Sequence, residues 1–294
     1  MVLGAFFFAT MAVCIKVASA WFNTSEILFW RGLIGVLMIW LLARYRGISL
    51  ASRYPGMHLR RSLAGVVSLW AWFFAIAYLP VATAMTLNYM SGIWLAAFVI
   101  GSGLVAWKPE QGPQFLRQQG PLALAVLVGF SGVVLILQPS IANDQSIGAM
   151  LGLMSGVSAA LAYTQVGAMT KLGEPETRIV FYFGSGSTVA GLVGMAMQGV
   201  SAWQWQQAAW LVPIGVFATL GQLCMTYAYG SGATLVVACL QYFGIVFGAI
   251  FSLILFGDDI PVAGWLGMGL IIVSGIAATV LRTRRVPDAP AKEI

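Results

Sequence analysis

Ten apolar runs, each about as long as a bilayer is thick, leave this chain little choice but to cross a membrane as helices. A spanning helix needs about 20 mostly apolar residues. The runs fall at about 2–20, 25–43, 62–79, 81–105, 120–138, 147–170, 177–198, 207–229, 232–256 and 261–281. The breaks between them are short, as at Leu79-Pro80, Gly230-Ser231 and Gly257-Asp258-Asp259, and the longest polar gap runs from Arg44 to Arg61. Only 8% of the 294 residues are charged, against about a quarter in a soluble domain. The fold class expected is an all-α integral membrane protein of ten transmembrane helices with no soluble appendage. The first run ends in Val17-Ala18-Ser19-Ala20 like a signal peptide, but it lacks a basic start and carries Lys16 where its apolar centre should continue. It is read as a retained helix. Cys14, Cys224 and Cys239 lie inside apolar runs, without disulfide or metal spacing, and are read as small buried thiols.

The charges set the orientation. Loops after the even-numbered runs, with the C-terminal tail, hold Arg44, Arg46, Arg53, Arg60, Arg61, Lys108, Arg117, Lys171, Arg178, Arg282, Arg284, Arg285 and Lys292, which is 13 of the 15 basic residues. The opposite loops hold Asp144, Asp258 and Asp259 and no base. Basic loops stay on the cytoplasmic side, so both termini are expected there. The net charge of +6 therefore reports orientation and not a nucleic-acid partner. Trp203, Trp205 and Trp210 fall at the outer interface, as an aromatic belt would.

An internal echo divides the chain. Tyr78–Phe98 is repeated by Tyr229–Ala249: Ala77-Tyr78 pairs with Ala228-Tyr229 and Ala82-Thr83 with Ala233-Thr234, both at an offset of 151. After a slip of two residues Asn88-Tyr89 pairs with Gln241-Tyr242 at 153. Phe8 and Lys16 match Tyr163 and Lys171 at 155, and Ser131-Gly132 matches Ser274-Gly275 at 143. Helices 1–5 thus resemble helices 6–10. Because five is odd, the second copy enters the membrane from the other face, which is the inverted repeat of many secondary transporters. The domains expected are 1–138, 147–285 with inverted topology, and a cytoplasmic tail at 286–294, the two repeats surrounding a central cavity.

Polar residues at depth mark candidates for that cavity. At about 1.5 Å per residue, Asn88 lies roughly 12 Å past Pro80 and Gln241 roughly 13 Å past Gly232, from opposite faces. They are either interhelical hydrogen-bonding groups or contacts to a solute at the level where inverted-repeat carriers bind. Trp70, Trp72, Tyr89, Trp94, Tyr163 and Tyr242 gather at similar depth. With Met85, Met90 and Phe8 they form either a packed core or a wide apolar cavity with phenol and amide handles, suited to an amino acid with a large side chain. Lys16 and Arg31, the only bases well inside the runs, either snorkel to the outer edge or make a carboxylate-attracting entrance, with Glu26 as a partner. No Asp, Glu or His lies between the helix edges, which argues for a facilitator over a proton antiporter. Gly244 with Gly248, Gly184 with Gly186, Gly191 with Gly194 and Gly267 with Gly269 predict close helix contacts. Gly101 and Gly103 are candidate hinges. His58 falls in the cytoplasmic loop without a partner pattern, so no catalytic set, metal site or cofactor is expected, and the chain is read as no enzyme.

Ten short-looped helices in two inverted copies resemble the drug/metabolite transporter superfamily with paired EamA domains. The resemblance is carried by Ala77–Phe98 and Ala228–Ala249 and by the small-residue helices Gly129–Leu137 and Gly264–Leu281, and it spans residues 1–285. Within the superfamily the chain is most similar to the YddG-type exporters. That resemblance implies export of aromatic and other bulky neutral amino acids across the bacterial inner membrane by alternating access, and the partners expected are the amino acid solute and the lipid bilayer, with the chain a monomer. It also implies Tyr78, Tyr89 and Tyr163, with Trp72, as cavity residues. The alternative is a drug or metabolite exporter of the same fold, proton-coupled through Lys16, a tyrosine, Glu26 or Asp258. For the orientation, we expect a green fluorescent protein fused after residue 294 to fluoresce and alkaline phosphatase fused there to be inactive. The reverse pattern would place the C-terminus outside.

Overall fold

A computed structural model describes residues 1–79, 81–105, 114–138, 146–202, 205–231, 233–257 and 259–283. Pro80, Lys108, Asp144, Trp203, Gly232, Asp258, Arg284, Arg285, Lys292 and the expected tail at 286–294 lie outside them. Among the described residues the chain is entirely helical, with α1 Val2–Ala18, α2 Thr24–Arg46, α3 Pro55–Tyr78, α4 Val81–Tyr89, α5 Ser91–Val105, α6 Gln114–Leu137 and α7 Ser146–Lys171. There follow α8 Glu176–Gln198, α9 Trp205–Ala208, α10 Leu211–Gly230, α11 Thr234–Gln241, α12 Phe243–Phe251, a π-helical turn at Ser252–Phe256, and α13 Val262–Thr283. Eight helices are long and apolar enough to cross a membrane, and α1 is a shorter apolar one. α3 is 24 residues long and opens with His58, Arg60 and Arg61 in its first two turns.

Local chemistry fixes the helix ends that position the interior. Asn23 caps α2 by accepting from the Glu26 N–H, while the Glu26 carboxylate accepts from the Asn23 N–H, which satisfies two otherwise orphaned donors. Gly47 closes α2 in the left-handed conformation at φ 64, where a side chain would be strained. Pro55 starts α3 at the position where its missing N–H costs nothing. α3 therefore begins seven residues before the apolar run that signals it in the sequence, and Arg61 lies inside the helix.

Two spans are broken where the sequence predicts continuous helices at 81–105 and 232–256. α4 gives way to α5 at Met90, a local irregularity across which four-residue bonds continue (Met90 N–H to Thr86 O at 3.1 Å, Trp94 N–H to Met90 O at 3.0 Å), and α11 to α12 at Tyr242. At the second break the hydrogen bonds tighten to three-residue spacing, Tyr242 N–H to Cys239 O at 3.2 Å and Ile245 N–H to Tyr242 O at 3.0 Å. The breaks fall within one residue of Tyr89 and on Tyr242, the tyrosines matched in the sequence echo.

The helices pack in related pairs. α2 lies against α8 and α6 against α13, while α1 lies against α10 as α3 does against α7. Likewise α1 meets α12 as α7 meets α5, and α2 meets α10 as α8 meets α3. Glycine makes the closest approaches. A Cβ at Gly32 of α2 would lie 2.7 Å from the Thr188 backbone nitrogen and 2.9 Å from the Gly184 carbonyl of α8, and Gly132 and Gly267 would each meet the other's carbonyl at 2.5 Å. By contrast nothing lies within 4 Å of a Cβ at Gly248 or Gly269, so these two are not the contact positions expected of them, and Gly101 likewise faces open space. The largest apolar core joins α5, α6, α7, α8, α10, α11, α12 and α13 around Leu95, Val126, Met169, Ile179, Cys239 and Tyr242. Large apolar side chains such as Leu41, Met150, Val189, Ile254 and Leu266 cover the outside, as hydrocarbon allows.

Because backbone atoms face Gly32, a side chain there must push α2 off α8. We expect Gly32→Val to lower stability by about 1–3 kcal/mol, as overpacking does, read as a lower melting temperature in detergent. Gly269→Ala, facing open space, should leave it unchanged or slightly raised.

Candidate functional site

The bundle interior gathers polar groups that the helices themselves do not satisfy. Arg31 and Gly32 from α2, Val180, Phe183, Gly184 and Ser187 from α8, and Ala218, Thr219 and Gln222 from α10 line a cavity of about 20 Å³. That holds a water or two, on a scale where one needs about 10–15 Å³. It is smaller than the wide aromatic chamber that the sequence suggests. Arg61 of α3 stands beside it, 2% exposed, its guanidinium carbon 4.1 Å from the centroid of the Phe183 ring in a cation–π contact. The Tyr163 phenol of α7 is within electrostatic reach of both Arg31 and Arg61.

Several donors here have no hydrogen-bond partner among the described residues: Arg61 Nε and Nη1, Gln222 Nε2, and the hydroxyls of Ser187 and Thr226. Buried polar groups in folded proteins are nearly always paired. A set of unpaired ones around a cavity marks a place built for something else.

Next to the cations lies an aromatic group. The Tyr163 and Tyr229 rings stack at 4.9 Å and 12°, and the Tyr229 hydroxyl donates to Gln241 Oε1 at 2.9 Å. Gln241 thereby joins α11 to α10. Tyr89 and Tyr242 face each other with ring centroids 6.3 Å apart, so the tyrosines of the two broken helices meet. Tyr242 is 1% exposed, and Gly92 and Gly129 make room for it: a Cβ at Gly92 would overlap the phenol oxygen, and one at Gly129 would lie 2.9 Å from the ring. Phe8 of α1 packs on Gly221 of α10. Met85 is half-buried.

Other candidates from the sequence lie elsewhere. The Asn88 amide donates to Ser155 Oγ at 3.1 Å, and the Ser155 carbonyl accepts from Ser68 at 2.8 Å. Asn88 is therefore an interhelical bond among α4, α7 and α3, the first of the two roles open to it. Trp72 packs with Leu87 and Leu151 against the Ala75–Leu79–Ala84 cluster. Tyr78 is 54% exposed at the end of α3, with its Cβ facing Gly148 of α7, away from the cations. Lys16 is exposed in the last turn of α1, where a cation suits the helix dipole. Glu26 does not pair with Arg31, the second of the two readings open to that arginine. It caps α2 and also accepts from Ser201, at 2.8 Å from its N–H and 2.6 Å from its hydroxyl. Sequence reading missed Arg61, which it placed in the basic loop.

His58 is also not the loop residue expected. It is 1% exposed, stacks on Tyr182 at 4.3 Å, and its Nε2 lies 3.5 Å from Glu174 Oε2, beyond a good hydrogen bond. Glu174 accepts from Ser52 at 2.7 Å and from Arg178 at 2.8 Å, and Arg178 donates twice to the Ser49 carbonyl, at 3.1 and 2.8 Å. The α2–α3 loop, α3 and the α7–α8 turn are thus tied at one end of the bundle.

Known proteins give this arrangement a context. The chain is 34% identical over 277 residues to the pseudopaline exporter CntI of Pseudomonas aeruginosa, covering 92% of this chain and 91% of that one. It is 25% identical over 280 residues to an uncharacterized transporter of Helicobacter pylori, covering 92% and 89%. A riboflavin transporter of Brucella anthropi matches at 22% over 269 residues, covering 88% and 90%. A solved crystal structure superposes over 96% of both chains with a TM-score of 0.79 at 16% identity, which speaks to the fold alone. No family model matches the chain.

The tie at Glu174 makes a pH-dependent contribution. Burial alone pushes its pKa up, but hydrogen bonds from Ser52 and Arg178, with the charges of Arg178 and His58, outweigh it and hold the carboxyl below its ordinary value. A carboxyl depressed in the folded state stabilises above its unfolded pKa, and that contribution is lost as pH falls through the folded value. We expect melting scans of the wild type in detergent to show stability falling below about pH 4. Glu174→Gln should cost about 1–3 kcal/mol at neutral pH and flatten that fall.

Proposed function

Because the chain belongs to the family of bacterial membrane transporters that includes the pseudopaline exporter CntI, we propose that it exports amino acids, aromatic and other bulky neutral ones among them, across the inner membrane by alternating access. The observation that carries this reading is the pair of broken helices meeting at Tyr89 and Tyr242. Interrupted spans at corresponding positions of two halves are the usual sign of a carrier's binding level.

The architecture proposed is two inverted five-helix halves, 1–138 and 147–285, with both termini cytoplasmic. Helix pairing supports it. If α1, α2, α3, α4–α5 and α6 correspond to α7, α8, α10, α11–α12 and α13, then the contacts α1 with α10, α1 with α12 and α2 with α10 turn into α7 with α3, α7 with α5 and α8 with α3. The pairs α2 with α8 and α6 with α13 turn into themselves. A pseudo-twofold axis has that effect. Close glycine contacts between α2 and α8 and between α6 and α13 leave smooth faces on which the halves can rock. Tyr163, Tyr89, Tyr242, Gln241 and Phe8 then supply the aromatic and amide surface, and Arg31 the carboxylate contact.

A second reading keeps the fold and changes the solute, favoured by the 34% identity to a protein named for pseudopaline export. Coupling to the solute gradient alone, without protons, is supported by Glu26, whose oxygens are already held by Asn23 and Ser201. Purified protein in liposomes loaded with labelled phenylalanine, methionine or threonine should release them faster than protein-free vesicles, with or without a proton ionophore. Tyr163→Ala at equal protein density should slow release by about tenfold, a loss of about 1.4 kcal/mol. No release of any of the three would defeat the amino acid reading.

A further inference from the structure

The buried cations outnumber the acids available to them. The acids among the described residues are Glu26, Glu174, Glu176 and Asp259. Glu26 is held by Asn23 and Ser201, and Glu174 by Ser52 and Arg178. Glu176 opens α8, and Asp259 precedes α13. The ion pairs among the described residues both close on Glu174, from His58 and Arg178. Neither Arg31 nor Arg61 is reached.

Their positions are complementary. Arg31 lies seven residues into α2, and Arg61 six residues into α3, which runs back from the opposite end. At about 1.5 Å per residue each guanidinium stem lies roughly 10 Å along its helix from the start, with Phe183, Ser187 and Gln222 between or beside them. What surrounds them is rich in donors: Arg61 Nε and Nη1, Gln222 Nε2, Ser187 and Thr226 all lack partners among the described residues. Charged groups inside a membrane protein are normally paired, since an uncompensated one is costly. A carboxylate, which only accepts, matches a lining of donors, and the planar arginine fork matches its two oxygens. A zwitterionic amino acid brings one carboxylate and one ammonium, so it leaves the net positive charge of the pair in place.

We propose that the solute carried is a net anion with at least two carboxylates, one held by Arg31 and the other by Arg61, with its apolar body against Phe183 and Tyr163. This rests on the exporter reading and sets acidic amino acid derivatives in place of neutral amino acids as its substrate class.

Binding to the purified wild-type protein, measured by equilibrium dialysis at pH 7.5, tests it with three labelled probes of similar body and different charge. These are L-phenylalaninamide, L-phenylalanine and N-succinyl-L-phenylalanine. Affinity should rise in that order, with the dianion about tenfold or more tighter than phenylalanine. Arg31→Gln and Arg61→Gln should each abolish the preference, and Arg61→Lys should keep part of it. Equal binding of phenylalanine and the dianion, no binding of the dianion, or a preference surviving in both glutamine variants would overturn the proposal. The wild-type series decides even if a variant fails to fold. Efflux from liposomes separates the two readings. Phenylalanine released without charge preference keeps amino acid export and defeats the dianion site. Dianion binding with no release of either compound keeps the site and defeats amino acid export.

Discussion

Hydrocarbon offers no hydrogen-bond partner, so every polar group inside this bundle must find one in the protein or wait for one to arrive. Most are answered. Asn88 reaches Ser155, Gln241 accepts from Tyr229, and Glu26 closes its cap and holds Ser201. Among the described residues the exceptions include His58, Trp72, Trp94 and Tyr242, and a group of them, Arg61, Ser187, Gln222 and Thr226, lies on three helices, with Ser187 and Gln222 lining the cavity. An unpaired buried group costs free energy each time the chain folds. Its persistence at one place is most simply explained by a partner that comes and goes.

The same helices explain how such a partner could pass. α2 and α8 approach closely at Gly32 and Gly184, where the facing groups are the Thr188 and Gly184 backbone, the Thr188 hydroxyl and the Val36 side chain. At the end of the bundle nearest Arg61, the Glu174 cluster joins the α2–α3 loop to α8 through charged hydrogen bonds that are strong but few. Opening that end means breaking a handful of directional bonds, a change of state more discrete than the peeling apart of an apolar core.

The sequence makes the membrane class plain and the individual contacts obscure. Apolar run length dictates spanning helices, and the pairing of Asn88-Tyr89 with Gln241-Tyr242 already identifies the two segments that break and meet. Their breaks are hidden, because neither carries proline and the only local hint is a glycine soon after each tyrosine, Gly92 and Gly244. Arg61 is misplaced because a base beside a polar stretch looks like loop charge, whereas Pro55 starts the helix early and carries it inside. Asn88 and Tyr78 show the converse limit. Depth along a helix follows from counting, but which neighbour a side chain meets depends on helix rotation, which a half-apolar, half-small sequence leaves open.

The central claim is that one buried level of the bundle is reached in turn from each side of the membrane. Ser187 is the probe for it, a buried hydroxyl lining the cavity that a cysteine replaces with little change in shape. In a background with Cys14, Cys224 and Cys239 replaced, Ser187→Cys in liposomes is exposed to a membrane-impermeant thiol reagent, added outside in one experiment and trapped inside in another. Modification from both sides is the expected result. Modification from one side only, or from neither, would contradict alternating access to this site.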